Sequence, residues 1–256
     1  MPRVHLGDPR RDLTIARNPQ NGLIIGKTIG NVTESWAYNE FAEPANYSAA
    51  FGTTPLYILQ FTRDALRRVI ARTETIGGVT SEYTYTYAAA DRLTVVTVNG
   101  STRAIYSYDA NDNRLSVDSD GELRGATYDD QDRLLSLGAA IYSYTANGEL
   151  ATKTINDQTT RYEYDVFGNL LRVVLPAGTT IEYLIDGRNR RLGKKINNTL
   201  VQSFLYQGSL RPVPELDEAG NVASEFVYGT RENAPEYLIK GVPSRDSRMT
   251  IIPRSG

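Results

Sequence analysis

A pair of tyrosines recurs along this chain at a nearly constant spacing, and that recurrence constrains the fold more than any other feature. Aligned on Tyr-x-Tyr-Asp-x-x-Gly-x-Leu, the second tyrosine falls at Tyr38, Tyr87, Tyr108, Tyr128, Tyr144, Tyr164, Tyr206 and Tyr228. Arg63 and Ile185 hold the same register in two degenerate copies. Neighbouring copies are 16 to 25 residues apart, and most lie near 21.

The repeat has a physical grammar. Tyrosines at i and i+2 point to one face of a strand. Turn formers come next, and an apolar residue then opens a return strand: Val69, Leu93, Leu115, Leu134, Leu150, Leu170 and Leu192. The slot four residues past the anchor holds Gly148, Gly168, Asp91, Asp112, Asp132 or Asn189. Gly, Asn and Asp tolerate positive φ best, so this slot reads as the left-handed residue of a hairpin turn. Ala42 and Arg67 occupy it in two copies, where strain or a different turn is expected. The copies around Tyr206 and Tyr228 lose the motif after the anchor. Period-2 patterns such as Gly178-Thr-Thr-Ile-Glu-Tyr-Leu-Ile-Asp fill the intervals. Segment 63–72 has some helical periodicity, but the repeat register favours turn then strand. A lone hairpin is marginal in water, whereas tandem hairpins can pair edge to edge and lean on their neighbours. The fold expected is all-β, with tandem antiparallel hairpins forming a curved sheet.

Composition narrows the function. Seventeen tyrosines against 6 Phe and one Trp suit β-structure. Cysteine is absent, which excludes disulfides and thiolate chemistry. A net charge of −2 draws the chain to neither nucleic acid nor an anionic membrane. No apolar run is long enough to span a bilayer, and the N-terminus lacks the apolar core of a secretory signal. Nucleic-acid partners and membrane insertion are therefore not expected.

With these residues in hand, the chain resembles the rearrangement-hotspot (Rhs) or YD-repeat proteins, and is similar to insect-toxin C-components and teneurins. The resemblance runs from about Asn18 to Gly241 and is most specific in 204–241, beginning Phe204-Leu-Tyr-Gln-Gly and ending Tyr237-Leu-Ile-Lys-Gly241. It implies a hollow β-shell that encloses and helps deliver a C-terminal toxin domain, in proteins commonly exported by specialised secretion systems. Implied partners are a toxin domain or other shell segments. The family's self-cleavage uses an Asp-Pro-x-Gly region near the shell's end, and no residues here match it. After Lys240-Gly241 the character changes, and the next family repeat with its Asp-His-Leu-Gly-Ser motif is missing, as a truncated or frame-shifted core would look. The organisation expected is an N-terminal extension (1–17), a repeat region (18–241) and a divergent tail (242–256), with both ends poorly ordered.

Candidate chemistry is outweighed by plainer readings. His5 is the sole histidine, so neither a triad nor a multi-histidine metal site can form. Asp109-Ala-Asn111-Asp112-Asn113-Arg114 opens like a calcium loop but has Arg where the turn needs Gly, and acidic clusters such as Asp118-Ser-Asp120 are ordinary in hairpin loops. The run Gly187 to Lys195 is basic, yet the repeat makes it a turn and a strand. Carboxylate pairs such as Asp129 and Asp130 sit at turns. No catalytic residue, metal ligand or cofactor is assigned. The anchors Tyr87, Tyr108, Tyr128, Tyr144, Tyr164, Tyr206 and Tyr228 and the six turn residues carry structural roles. The expected function is a non-enzymatic shell segment. The alternatives are an adhesion module binding carbohydrate or protein through its tyrosine face, and a remnant without function.

Overall fold

The computed structural model describes residues 3–4, 12–231, 233–240 and 248–251. His5 and most of the two terminal segments lie outside the described residues. Among the described residues the protein is all-β, with one 3-10 turn at Ala89–Asp91. It divides into two compact units, Met1–Gly138 and Ala139–Gly256.

Each unit is an antiparallel meander in which every strand pairs with the next in sequence. In the first unit Val32–Tyr38 pairs with Pro44–Phe51, which pairs with Thr54–Arg63, and the pattern continues through Val69–Ile76, Val79–Tyr87 and Leu93–Val98. In the second, Ala140–Tyr144, Leu150–Ile155, Gln158–Tyr164 and Leu170–Val174 follow the same rule. Segment 63–72 is a turn followed by strand Val69–Ile76.

The meander extends into both terminal segments. Leu13–Arg17, within 1–17, is a strand paired with Ile24–Ile29. Its alternation explains this: Leu13 is 0% and Ile15 3% exposed. Arg248–Ile251, within 242–256, pairs with Tyr237–Lys240.

Turns alternate between two rims. In each unit one rim includes two-residue turns with both residues left-handed, such as Gly77-Gly78 (φ 55° and 85°) and Asn99-Gly100 (49° and 78°) in the first and Asn197-Asn198 (47° and 67°) in the second. Such turns match the twist of the flanking strands. The other rim carries longer turns, one after each tyrosine anchor.

The two faces of each sheet differ. Alternation puts Tyr83, Tyr85 and Tyr87 on one face, half-buried among arginines and aliphatic residues. The other face carries exposed Ser and Thr, whose hydroxyls pair across strands: Ser35 with Ser48 (2.7 Å), Thr84 with Thr97 (2.6 Å), Ser107 with Ser116 (2.5 Å) and Ser143 with Thr152 (2.6 Å). Among the described residues the buried apolar side chains include Leu13, Ile29, Val32 and Ala49 in the first unit and Val173, Val227, Tyr237 and Ile239 in the second, of which Leu13, Ile29 and Tyr237 are fully buried.

Candidate functional site: the tyrosine turns

The turn after each anchor is built around the residue that follows the tyrosine. In Asp109–Asn113 the Asp109 carboxylate accepts from the backbone N–H of Asn111 and of Asn113, both at 2.8 Å. The second oxygen takes a bond from the Asn113 side chain at 3.1 Å. Asp64, Asp129, Asp165 and Asp186 do the same with Arg68, Arg133, Asn169 and Arg190. Asn39 fills the role with its amide, donating to Glu43 at 2.8 Å. These bonds satisfy the turn's own N–H groups and stop the strand from continuing.

They also hold the carboxyls ionised. At Asp186 the bond from Arg190 leads, and the pKa falls to about 2. At Asp165 the Asn169 side chain lowers it, and at Asp129 the Arg133 N–H does. At Asp109 partial desolvation works in the raising direction and is outweighed by the bonds from Asn113 and Asn111.

The slot four residues past the anchor has positive φ in every copy that was read from the sequence: Asp91 (59°), Asp112 (67°), Asp132 (59°), Asn189 (58°), Gly148 (96°) and Gly168 (79°). Ala42 (61°) and Arg67 (70°) adopt it as well, so they do not switch to another turn. The Asp and Asn side chains in this slot have a second use. The fifth residue of one turn donates to the slot residue of the next: Arg68 to Asp91 (2.7 Å), Arg92 to Asp112 (2.9 Å), Asn113 to Asp132 (2.6 Å) and Asn169 to Asn189 (3.1 Å). At three of the turns whose fifth residue is Arg, its guanidinium lies over the next tyrosine. Arg68 is 4.8 Å from the Tyr87 ring centre, Arg92 5.6 Å from Tyr108, and Arg190 4.9 Å from Tyr206.

The anchors bond in the opposite direction along the chain. Strand register slips by one residue at most anchors, for instance between Ser107 and Tyr108 and between Thr86 and Tyr87, leaving a bulge. The carbonyl opposite that bulge is taken up by the next repeat's tyrosine. Tyr108 Oη donates to Leu93 O (2.7 Å), and Leu93 is the register partner of Tyr87. Tyr128 donates to Arg114 O (3.0 Å), Tyr87 to Val69 O (2.7 Å), Tyr38 to Ile24 O (2.7 Å) and Tyr206 to Arg191 O (2.9 Å). Tyr228 donates to Pro212 O at 2.8 Å, although its own turn has lost the motif. Tyr144 and Tyr164 sit at the same register slips, Ser143/Tyr144 and Glu163/Tyr164. Burial pushes the Tyr87, Tyr164 and Tyr228 phenols up. In the degenerate copy Arg63 replaces the tyrosine and its guanidinium instead donates to Arg67 O, within its own turn, at 3.1 Å.

Tyrosine alignment passed over further turns of the same design. Asp217-Glu-Ala-Gly220-Asn221 repeats the plan of Asp165-Val-Phe-Gly168-Asn169, with Asp217 accepting from Asn221 N–H at 2.8 Å. Leu175–Thr179 closes with Gly178 at φ 84°, and Asn18–Leu23 with Gly22 at 73°. The Asp-x-x-Gly-Asn signal was present in the sequence without its tyrosine.

The basic run of 187–195 is dispersed by strand alternation. Arg190 bonds Asp186 in its turn, Arg191 stacks on Tyr183 at 4.0 Å, and Lys195 lies opposite Glu182 on the other face. The calcium-like Asp109 turn spends its carboxylate on its own backbone.

The chain has known relatives. The Teneurin YD-shell family model matches residues 10–239. The chain belongs to the teneurin YD-shell family. Human Teneurin-4 is 28% identical over 162 residues, covering 61% of this chain and 6% of its own length. Human Teneurin-1 is 33% identical over 149 residues, covering 57% and 5%. A bacterial relative, the tRNA3(Ser)-specific nuclease WapA of Bacillus spizizenii, is 29% identical over 112 residues, covering 39% and 5%. The chain thus spans about a twentieth of these relatives. In fold it is similar to a chain of the TcdB2-TccC3-Cdc42 crystal structure, with a TM-score of 0.52, 10% identity, 93% of this chain and 16% of that one. The YD-shell wall is a structural assembly of repeats, and this chain is an all-β stretch of it.

Proposed function

We propose that this protein is a non-catalytic section of shell wall that, within a larger assembly, encloses a toxin domain and helps deliver it. The observation that carries this is the bidirectional bonding between repeats. Arg or Asn side chains reach forward and tyrosine hydroxyls reach back, so the conspicuous polar side chains are spent on joining one repeat to the next. The shifted carboxylates fit this reading. Each is a turn hub held ionised, the opposite of a carboxyl raised for proton donation. The nuclease name of the bacterial relative belongs to a protein of which this chain covers a small part, and that activity is not carried over.

Stacking of carbohydrate on the tyrosines is the less favoured reading, because guanidinium groups lie over rings such as Tyr83, Tyr87, Tyr108, Tyr183 and Tyr206. The wall reading is tested by expressing the chain with its native flanking coding sequence and treating the purified product with protease. A protected polypeptide released only on denaturation is expected. A wall fragment that purifies without any enclosed or joined segment, and binds a defined glycan through Tyr142 and Tyr144, would overturn it.

A further inference from the structure

The two rims of the first unit differ in charge. The rim of tyrosine turns is dense with Asp, Glu and Arg. On the opposite rim four consecutive hairpin tips, at 29–32, 51–54, 76–79 and 98–101, contain no charged residue. The uncharged stretches run well beyond the tips, from Pro44 to Thr62 and from Leu93 to Thr102. Adjacent tips are tied by backbone bonds, Gly52 N–H to Asn31 O at 2.8 Å and Gly77 N–H to Leu56 O at 3.3 Å. On this rim large apolar side chains face solvent: Val79 at 72%, Ile76 at 56%, Phe51 at 54% and Leu56 at 39%. The charge-free character ends at the next tip, Ser119–Glu122, where Asp120 pairs with Arg103.

We infer that this rim rests on the surface of an electrically neutral lipid bilayer, with the tips of Phe51 and of the Ile76–Val79 hairpin entering the headgroup–acyl boundary. The choice of occupant rests on area and charge. Four part-exposed side chains offer far less than the ~800 Å² per partner that a stable protein interface needs. Shallow insertion needs no such area, because each apolar tip gains by leaving water on its own account. The lack of charge removes the desolvation cost of entry, and it also removes any attraction to anionic headgroups. The Gly77-Gly78 turn keeps its backbone at the wet boundary, where water still satisfies it, so this is contact at a surface and not a span. The inference goes beyond the wall reading and does not depend on it.

The chain has no cysteine, so single-cysteine variants can carry a polarity-sensitive dye without a background. The full chain is mixed with phosphatidylcholine vesicles and floated on a density gradient, at low and at high salt. Flotation independent of salt is expected, with a blue shift of dye on Val79→Cys and none on Asn111→Cys at the tyrosine rim. Val79→Asp, at an exposed site, is expected to keep the circular dichroism of the parent and to weaken partitioning by at least about tenfold, because the carboxylate cannot leave water. Failure to float, flotation abolished by salt, or Val79→Asp floating like the parent would each overturn the inference. So would a dimer by light scattering that Val79→Asp makes monomeric without vesicle binding, which would assign the rim to a second copy of the chain.

Discussion

Replacing Ala42 by glycine should stabilise the protein, against the usual effect of adding glycine. Ala42 sits at φ 61° in an exposed turn and carries only a methyl group, so little packing is lost. The left-handed conformation costs a non-glycine residue about 1–2 kcal/mol. Glycine removes that cost but frees the unfolded chain by about 0.4–1 kcal/mol. The net gain is about 0.5–1 kcal/mol, which for a unit of this size raises Tm by roughly 1–4 °C. Ala110 is the matched control: it is also exposed and lies in the Asp109–Asn113 turn, but its φ is not positive. Ala110→Gly should lower stability by roughly 0.5–1 kcal/mol. Both variants are measured by calorimetry beside the parent. If Ala42→Gly lowers Tm as Ala110→Gly does, the left-handed slot is not a source of strain and the turn reasoning fails.

Tyr108→Phe removes the bond to Leu93 O and should cost about 1 kcal/mol, read as a lower urea midpoint with unchanged m. Asp186 has a lowered pKa, so its stabilising contribution is present above its unfolded value near 3.8 and is lost as pH falls through about 2. The urea midpoint should therefore drop across that acid window, and Asp186→Asn should flatten the drop; an unchanged profile would refute the role of the Arg190 bond. Gly168→Asn places an amide near Glu149, whose Oε1 lies 3.9 Å from where a Cβ would stand, and should be tolerated because Asn accepts φ 79°. Gly168→Val at the same slot should destabilise by about 1–2 kcal/mol, since a β-branched residue rarely adopts that backbone; equal Tm values for the two would contradict this.

Local steric preference explains what was legible in the sequence. Strand alternation follows from tyrosines at i and i+2, and the left-handed slot follows from a property that Gly, Asn and Asp share. Both are decided within a few residues, so one repeat read against another exposes them. The forward bonds were not legible. Arg68, Arg92, Asn113 and Asn169 have no common chemistry beyond an N–H donor on a long enough stem, and their acceptors lie about twenty residues away across the sheet. The hydroxyl's target was hidden for the same reason, because a bulge carbonyl has no residue signature: Ile24, Val69, Leu93 and Arg114 all serve. Ala42 and Arg67 show the limit of the local rule. Bonds within the turn, from Ala42 N–H to Asn39 O and from Arg67 N–H to Asp64 O, hold the geometry, and a residue of the wrong type follows it. The strand Leu13–Arg17 was missed because it has no tyrosine, although its Leu-Thr-Ile alternation was there to read.

Because the junctions at Tyr87, Tyr108 and Tyr128 are bonded in both directions, the repeats there are not chemically complete alone. A hydroxyl on one side and an amide or guanidinium on the other wait for the next copy. Length should therefore change in whole periods. An insertion or loss of one full repeat reseals the same donors and acceptors, while a change of a few residues strands them. A wall of this kind can be lengthened or shortened stepwise, like courses of brick, and its capacity becomes a matter of counting.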